Sequence, residues 1–304
     1  MTPTRTWLAL PILLAAACAS PSPPPAAAPA PAPPMTSAAP PAAAPAPAAV
    51  PVSAPAARPP EAIIADSEQA TGGAAWNAHK TMHARLELTF QGMGISGTGE
   101  RFATSADKAL TTTDLPGIGL VRDGSNGSVL WAQDPVNGLR LLEGAEAEEA
   151  RFESAWNPEQ HMHDFFVKME SRPEVGPGGT PLECVVLTPK LAHPRTNCYD
   201  PATHLQVSEK GTRSTPQGDT PYSSVLKDWH EVGGVKIAFA VDTQAGPITY
   251  VARMTDVKFD EPVDDKLFEP PTPPGATSPA EPTGKTKAAP KPKTKVKPTN
   301  APPP

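Results

Sequence analysis

The chain has 304 residues, 43 of them proline, and a formal net charge of −6. An acidic balance argues against a nucleic-acid-binding domain. No apolar run reaches the ~20 residues that a membrane-spanning helix needs.

The chain opens with Arg5 and an apolar run from Trp7 that closes on Ala15, Ala16, Ala17 and Cys18. Charge, apolar core and small residues follow in the order of a secretory signal. Because it ends on a cysteine, it resembles a bacterial lipoprotein signal. That resemblance implies export through residues 1–18 and a lipid on Cys18, which would moor the protein to a membrane. Residues 19–60 are nearly all Pro, Ala and Ser, a composition that cannot bury apolar area and reads as a disordered tether. Residues 272–304 form a second low-complexity segment that holds Lys285, Lys287, Lys291, Lys293, Lys295 and Lys297. Setting those six positive charges aside leaves a formal charge of about −12 on the rest, so only the tail is basic. The tail suits a cell-wall polymer or an anionic surface; the alternative is a solvated, unstructured end. What remains, 61–271, suits one domain.

Within that segment 60–70 reads as a short helix, with Pro60 in its first turn, and Gly72-Gly73 stops it. Trp76 follows as an apolar anchor. Residues 84–90 alternate, with Leu86, Leu88 and Phe90 on one face, so they form a half-buried strand. Gly92 to Gly97 satisfies G-x-G-x-x-G, but a strand-like run at 100–103 follows instead of a helix, so the glycines read as a turn or bulge. Further strands are expected at 109–115, 118–123 and 129–133. Asp123-Gly124 and Asn126-Gly127 are read as hairpin signals, and Asn137-Gly138 closes the last strand. Residues 143–156 read as a helix. Asn157-Pro158 restarts it, with Asn157 as cap. Met162, Phe165, Phe166 and Met169 then fall at i, i+3, i+4 and i+7, the stripe of an amphipathic helix. Strands return at 182–187, which is apolar on both faces and reads as central, then at 204–208, 223–231, 235–242 and 248–259, with a hairpin at Gly233-Gly234. Many strands in hairpin order with a few helices imply an α+β, mainly β fold: an antiparallel sheet with helices on one face.

Cys184 and Cys198 are an even pair in an exported chain and read as a disulfide. A zinc set of Cys184, His193, Cys198 and His204 matches no common spacing, and His79 with His83 runs into a strand, so no metal or other cofactor is expected. No nucleophile is accompanied by a base, so no enzyme activity is expected either.

Two stretches carry a resemblance. Asp228-Trp-His-Glu-Val-Gly-Gly-Val-Lys-Ile, and Val257-Lys-Phe-Asp-Glu-Pro-Val-Asp-Asp-Lys-Leu-Phe-Glu-Pro-Pro271, resemble the outer-membrane lipoprotein-sorting and carrier superfamily (LolA/LolB-like). Ala70-Thr-Gly-Gly73 and the Gly-x-x-x-Trp pattern ending at Trp131 agree. The resemblance implies a sheet curled into an incomplete, half barrel, with short helices covering an apolar concave face that holds a lipid or acyl chain. The residues expected to line that cavity are Leu86, Leu88, Phe90, Trp131, Met162, Phe165, Phe166, Met169, Val235, Ile237 and Phe239, with the Met162 to Met169 stripe as part of its cover. The expected protein is an envelope lipoprotein of the outer membrane that faces the periplasm and binds a lipid or acylated ligand. The alternative is a scaffold lipoprotein with a filled core.

Overall fold

The computed structural model describes residues 57–271; Cys18, the signal, the tail and nearly all of the tether lie outside them. The N-terminal end of this region is fastened: Arg58 pairs with Asp66 and Glu183, and its carbonyl accepts from the Ser171 hydroxyl. Among the described residues no helix is long and apolar enough to cross a membrane.

Thirteen strands form one antiparallel sheet built from two meanders. After helices α1 (Pro60–Ala70) and α2 (Ala75–Ala78), the first meander runs through β1 (Thr81–Phe90), β2 (Ile95–Thr104), β3 (Lys108–Leu115), β4 (Gly119–Asn126), β5 (Leu130–Asp134) and β6 (Gly138–Leu141). A helical segment, α3 (Gly144–Ser154) and α4 (Met162–Phe165), then carries the chain to the opposite edge. The second meander returns through β7 (Lys168–Val175), β8 (Pro181–Thr188), β9 (Arg195–Tyr199), β10 (Gln206–Arg213), β11 (Thr220–Val232), β12 (Val235–Ala245) and β13 (Ile248–Phe259). There β13 pairs with β1 and joins the halves, leaving β6 and β7 as the edges of an open sheet. The mainly β, antiparallel architecture is the one expected from the hairpin order, and the unclosed sheet is what the resemblance implied.

Several elements differ from their sequence reading. The strand expected at 100–103 begins at Ile95 and runs to Thr104. Asp123-Gly124 is not a turn but lies inside β4. The turn comes at Asn126-Gly127, where the Asn126 side chain accepts from the amides of Ser128 and Val129. Gly124 is needed for another reason: a Cβ there would sit 2.2 Å from the Trp131 ring, which lies across it from β5. The Met162 to Met169 stripe is not one helix. A 3₁₀ turn and α4 end by Phe165, and Met169 belongs to edge strand β7. Asn157 makes no side-chain cap. The strand at 182–187 is next to the edge rather than central. Part of its second apolar face is the Cys184–Cys198 disulfide, S–S 2.05 Å, which joins residues directly opposite on β8 and β9.

The glycine motifs hold the two ends of the fold together. A Cβ on Gly72, at φ 120°, would lie 2.3 Å from the Gly234 carbonyl, so the end of α1 can approach the β11–β12 hairpin only as glycine. The Lys236 amide donates to the Thr71 carbonyl at 2.9 Å beside it. The terminal motif meets the Gly-x-x-x-Trp motif: Trp131 Nε1 donates to the Phe268 carbonyl at 3.0 Å, and both rings pack with Leu110.

Candidate functional site

Strand register fixes which side chains share a face. Ala84, Arg101, Thr111, Asp123, Ala132 and Arg140 stand opposite one another across β1 to β6, so all six project to one side. Arg195, Gly211, Tyr222 and Ala245 form a second row across β9 to β12. Phe90, Tyr250 and Thr243 connect the rows through β1, β13 and β12 on the same face. Residues of β2 to β6 and of β10 to β13 line a single cavity together with α3, so the sheet curls and α3 lies within the curl. Its volume is about 120 Å³.

The acids of α3 fasten it like a strap. Glu146 takes a two-pronged bond from Arg140 on β6, at 2.8 and 2.9 Å. Glu148 accepts from three successive amides of the β8–β9 loop, Lys190, Leu191 and Ala192, at 3.1, 2.7 and 2.7 Å. Glu149 accepts from the Ser214 amide at 3.3 Å. Glu153 accepts from Arg213 at 2.8 Å and Arg195 at 3.4 Å, while its own carbonyl takes an Arg101 nitrogen at 2.9 Å. Beyond the helix the Trp156 amide donates to Asp107 at 2.8 Å. Phe152 packs with Ile63, Ile64, Met162, Phe166, Val185 and Leu187, and the Arg195 guanidinium lies over its ring at 4.9 Å.

The cavity therefore has apolar walls (Ala109, Val121, Leu130, Ala132, Leu142, Ala150, Ala245) and a charged interior (Arg101, Asp123, Glu149, Glu153, Arg213). Burial, with the neighbouring Glu153 charge adding and Arg213 opposing, pushes the Asp123 carboxyl up to about 8. Burial also lifts Glu149 to about 7, again with Glu153 adding. Arg101 is pushed down to about 10 by burial. Burial alone would lower Arg213 too, but Glu153, Tyr222, Tyr250 and Glu209 together outweigh it and hold the guanidinium above its ordinary range. Tyr222, buried beneath the Arg213 guanidinium, is raised to about 12. Its hydroxyl and the Asp123 Oδ2 have no hydrogen-bond partner among the described residues.

The apolar residues expected to line a cavity mostly do not. Leu86, Leu88, Phe90, Val235 and Ile237 are buried in the main core with Trp76, Met82 and Trp156, and Phe239 is half-buried against it. Met162 and Phe166 are buried in the second cluster under α1 and α3, with Phe165 and Met169 half-buried beside them. Trp131 borders the cavity, but its register with Gly124 puts its ring on the opposite face from Asp123, beneath Phe268. The roof is α3, not the Met162 to Met169 stripe. The residues that sequence reading missed are Arg101, Asp123, Glu149, Glu153, Arg213 and Tyr222. One signal was present: Arg101 and Asp123 hold inward positions of alternating strands, two residues from the buried Ala103 and Val121.

The histidines considered as ligands sit apart from this cavity. His79 is bonded to Asp260 at 2.7 Å and to the Gly233 carbonyl at 2.9 Å, and His83 stacks on Phe102. His193 pairs with Asp219 at 2.8 Å, and His161 and His163 are exposed on the surface.

No family model matches the chain. No curated protein matches it either. Among solved structures, a DUF1329 family protein from Desulfovibrio piger is similar over 69% of this chain and 97% of its own, with 10% identity and a TM-score of 0.50, which shows a shared fold. A LolA superfamily protein from Nitrosomonas europaea is similar over 70% of this chain and 98% of its own, at 12% identity and a TM-score of 0.48. An outer membrane lipoprotein-sorting protein domain from Vibrio parahaemolyticus is similar over 68% and 95%, at 12% identity and a TM-score of 0.46.

Proposed function

We propose that this domain binds an amphiphile, a lipid or acylated ligand whose hydrocarbon part lies in the cavity beneath α3, without covalent chemistry. The observation that carries the reading is the cavity itself. The two apolar clusters fill much of the inner face with their own side chains, yet between the two meanders a partly open cavity of about 120 Å³ remains, with apolar side chains on its walls beside the charged ones. An engineered apolar cavity of comparable size, ~150 Å³, accepts benzene. The space therefore suits a length of one acyl chain rather than several. Affinity would come from buried methylenes at ~0.8 kcal/mol each. The resemblance to the lipoprotein-sorting superfamily supports the same reading.

The disulfide supports an oxidising compartment. With the lipoprotein-like signal ending at Cys18, we place the protein at the outer membrane facing the periplasm, moored by its N-terminal lipid. The Lys-rich tail is then free to meet cell-wall polymer or an anionic surface.

The test is native mass spectrometry of the full chain, delipidated and then offered dodecanol-sized and palmitoyl-sized ligands. Bound ligand is expected for the parent. Ala150→Trp, which puts an indole into the cavity from α3, is expected to abolish it while the disulfide and the circular dichroism spectrum stay unchanged. A parent that never retains ligand, or an Ala150→Trp variant that binds as well as the parent, rejects the reading and leaves the scaffold alternative.

A further inference from the structure

We propose that β7, the free edge of the second meander, docks on itself. Two copies of the chain join β7 to β7, antiparallel about a two-fold axis at Ser171, so that one sheet continues into the other.

The edge is open and its bonding groups are ordered. β7 closes the strand order, with β8 on one side and no strand on the other among the described residues. The Gly176 amide donates to the Thr180 carbonyl at 2.7 Å, which continues the β7–β8 register. Bonded and non-bonded pairs alternate along such a ladder, so the even-numbered residues of β7 turn their backbone groups to β8. The disulfide agrees. The Cys184 and Cys198 Cα atoms are 4.0 Å apart, closer to a non-bonded pair than to a bonded one, so Cys184 turns its backbone groups to Arg172 on β7. Met169, Ser171, Pro173 and Val175 then aim theirs away from the sheet. Arg58 is bonded to the side chains of Ser171 and Glu183, which share one face, so it meets β7 on that face and not along the edge.

The occupant is chosen by the strand's own sequence. From 167 to 175 it reads Val-Lys-Met-Glu-Ser-Arg-Pro-Glu-Val, which is complementary to its reverse about Ser171. Lys168 faces Glu174 of the second copy, and Glu170 faces Arg172 of the second copy, each contact occurring twice. Opposite charges directly across two strands attract and like charges repel. A register centred on Glu170 would set that residue against itself and Lys168 against Arg172. One centred on Arg172 would set that residue against itself and Glu170 against Glu174. Only the Ser171 register satisfies the charges. Within one copy Lys168 pairs with Glu170 at 2.8 Å and Arg172 with Glu174 at 3.5 Å, yet the Lys168, Glu170 and Arg172 side chains stay 60, 53 and 66% exposed, which leaves each room for a second partner. Glu174 is held by Lys210 at 2.6 Å, so the Glu170–Arg172 contacts carry the test.

The apolar positions agree with the charges. Val175 and Val167, 74 and 70% exposed, are the most exposed large apolar side chains among the described residues. The Ser171 register sets Val167 opposite Val175 of the second copy at each end, and Met169 opposite Pro173. Pro173 has no N–H to offer, as edge strands tolerate. Its carbonyl still accepts from the Met169 amide of the second copy, and the two Ser171 residues exchange their bonds, about four in all. The stretch 19–56 suits the edge less well: it holds no charge to meet these residues, and its prolines interrupt a ladder.

Sedimentation velocity of the full chain, from low micromolar to a few hundred micromolar, tests this. Monomer is expected to pass to dimer, and added salt to weaken the dimer. Glu170→Arg alone and Arg172→Glu alone each oppose like charges at both contacts and are expected to weaken it about tenfold or more. An equimolar mixture of the two variants restores opposite charges at both contacts and is expected to dimerise like the parent. The substituted side chains are exposed, and an unchanged melting temperature shows each variant folded. Hydrogen exchange of the parent needs no variant: protection of the Met169 and Ser171 amides is expected to rise with protein concentration, while the β6 edge stays unchanged. A parent that stays monomeric, single variants that dimerise as well as the parent, or a mixture that stays monomeric overturns the proposal. So does protection that rises at β6, which marks a head-to-tail contact, or β7 protection that is equal at every concentration, which marks a segment of the same chain on the edge.

Discussion

Replacing Asp123 by asparagine isolates the energetic consequence of a carboxyl on the inner wall. In the unfolded chain this group releases its proton near 3.8, whereas in the fold burial and Glu153 hold the proton up to about 8. Between those values the folded state binds one proton more than the unfolded state. Unfolding then releases a proton, and stability falls as pH rises through the window, by about 1.4 kcal/mol per pH unit. Below the unfolded value the group contributes no loss, and above the folded value the loss is complete. Over pH 5 to 7 the parent loses about 3 kcal/mol through this one group. Asparagine has no proton to release, so the variant is spared that slope. Glu149 has the same sign in both proteins and cancels in the comparison. Urea denaturation at pH 5, 6, 7 and 8 measures the difference directly. The stability of Asp123→Asn relative to the parent is expected to rise by about 3 kcal/mol from pH 5 to 7. A difference that stays level within about 0.5 kcal/mol, the reach of the extrapolation, refutes the burial argument.

Three further outcomes follow from the packing. Cys184→Ala/Cys198→Ala opens a loop with a sequence separation of 14 and is expected to lower stability by about 3 kcal/mol in urea. Gly124→Ala drives a methyl into the Trp131 ring and breaks the ring's bond to the Phe268 carbonyl; a loss of about 2–4 kcal/mol is expected, with red-shifted tryptophan emission. Glu148→Ala leaves three loop amides without their carboxylate; about 2 kcal/mol of stability should go, and hydrogen exchange should quicken at Leu191 and Ala192.

The elements legible in the sequence are those whose signals are local. Pro60 and Gly72-Gly73 bracket α1, alternation marks β1, and Gly233-Gly234 marks the β11–β12 hairpin. The family motifs, read as punctuation, are indeed structural contacts: Gly72 against Gly234, and Trp131 against Phe268. What misled was local chemistry overruled by distant partners. Asp123-Gly124 has turn composition, but Trp131 requires the glycine in the middle of a strand, and that misreading hid Asp123. The Met162 to Met169 spacing fits a helical period, yet only Met162 and Phe165 lie on the one-turn helix α4; Phe166 follows its end and Met169 stands on β7. The acids of α3 carry no local sign of their partners, because composition cannot show that Arg140, the β8–β9 loop and Arg213 stand opposite them.

The placement of charge separates the two functional readings. A scaffold needs only the two apolar clusters that already fill the ends of the inner face, and there the family-like residues pack against one another. Filling the middle with leucine or valine would complete such a core and remove two acids whose burial works against folding. The chain instead places Asp123, Glu149 and Tyr222 around a space together with Arg101, Arg140 and Arg213. Among the described residues, buried polar atoms of both kinds stay open there, the Asp123 Oδ2 and the Tyr222 hydroxyl oxygen on one side and the Arg140 Nε on the other. Such an arrangement is unfavourable in the empty protein and would become favourable once a group that pairs with these atoms enters. A guest binding only to the folded state would repay the loss by mass action. The strap α3 can also respond to the guest, because Glu149 and Glu153 belong to the helix that Glu148 and Trp156 anchor at the rim. On the amphiphile reading, occupancy and the stability of the roof would be coupled through one helix.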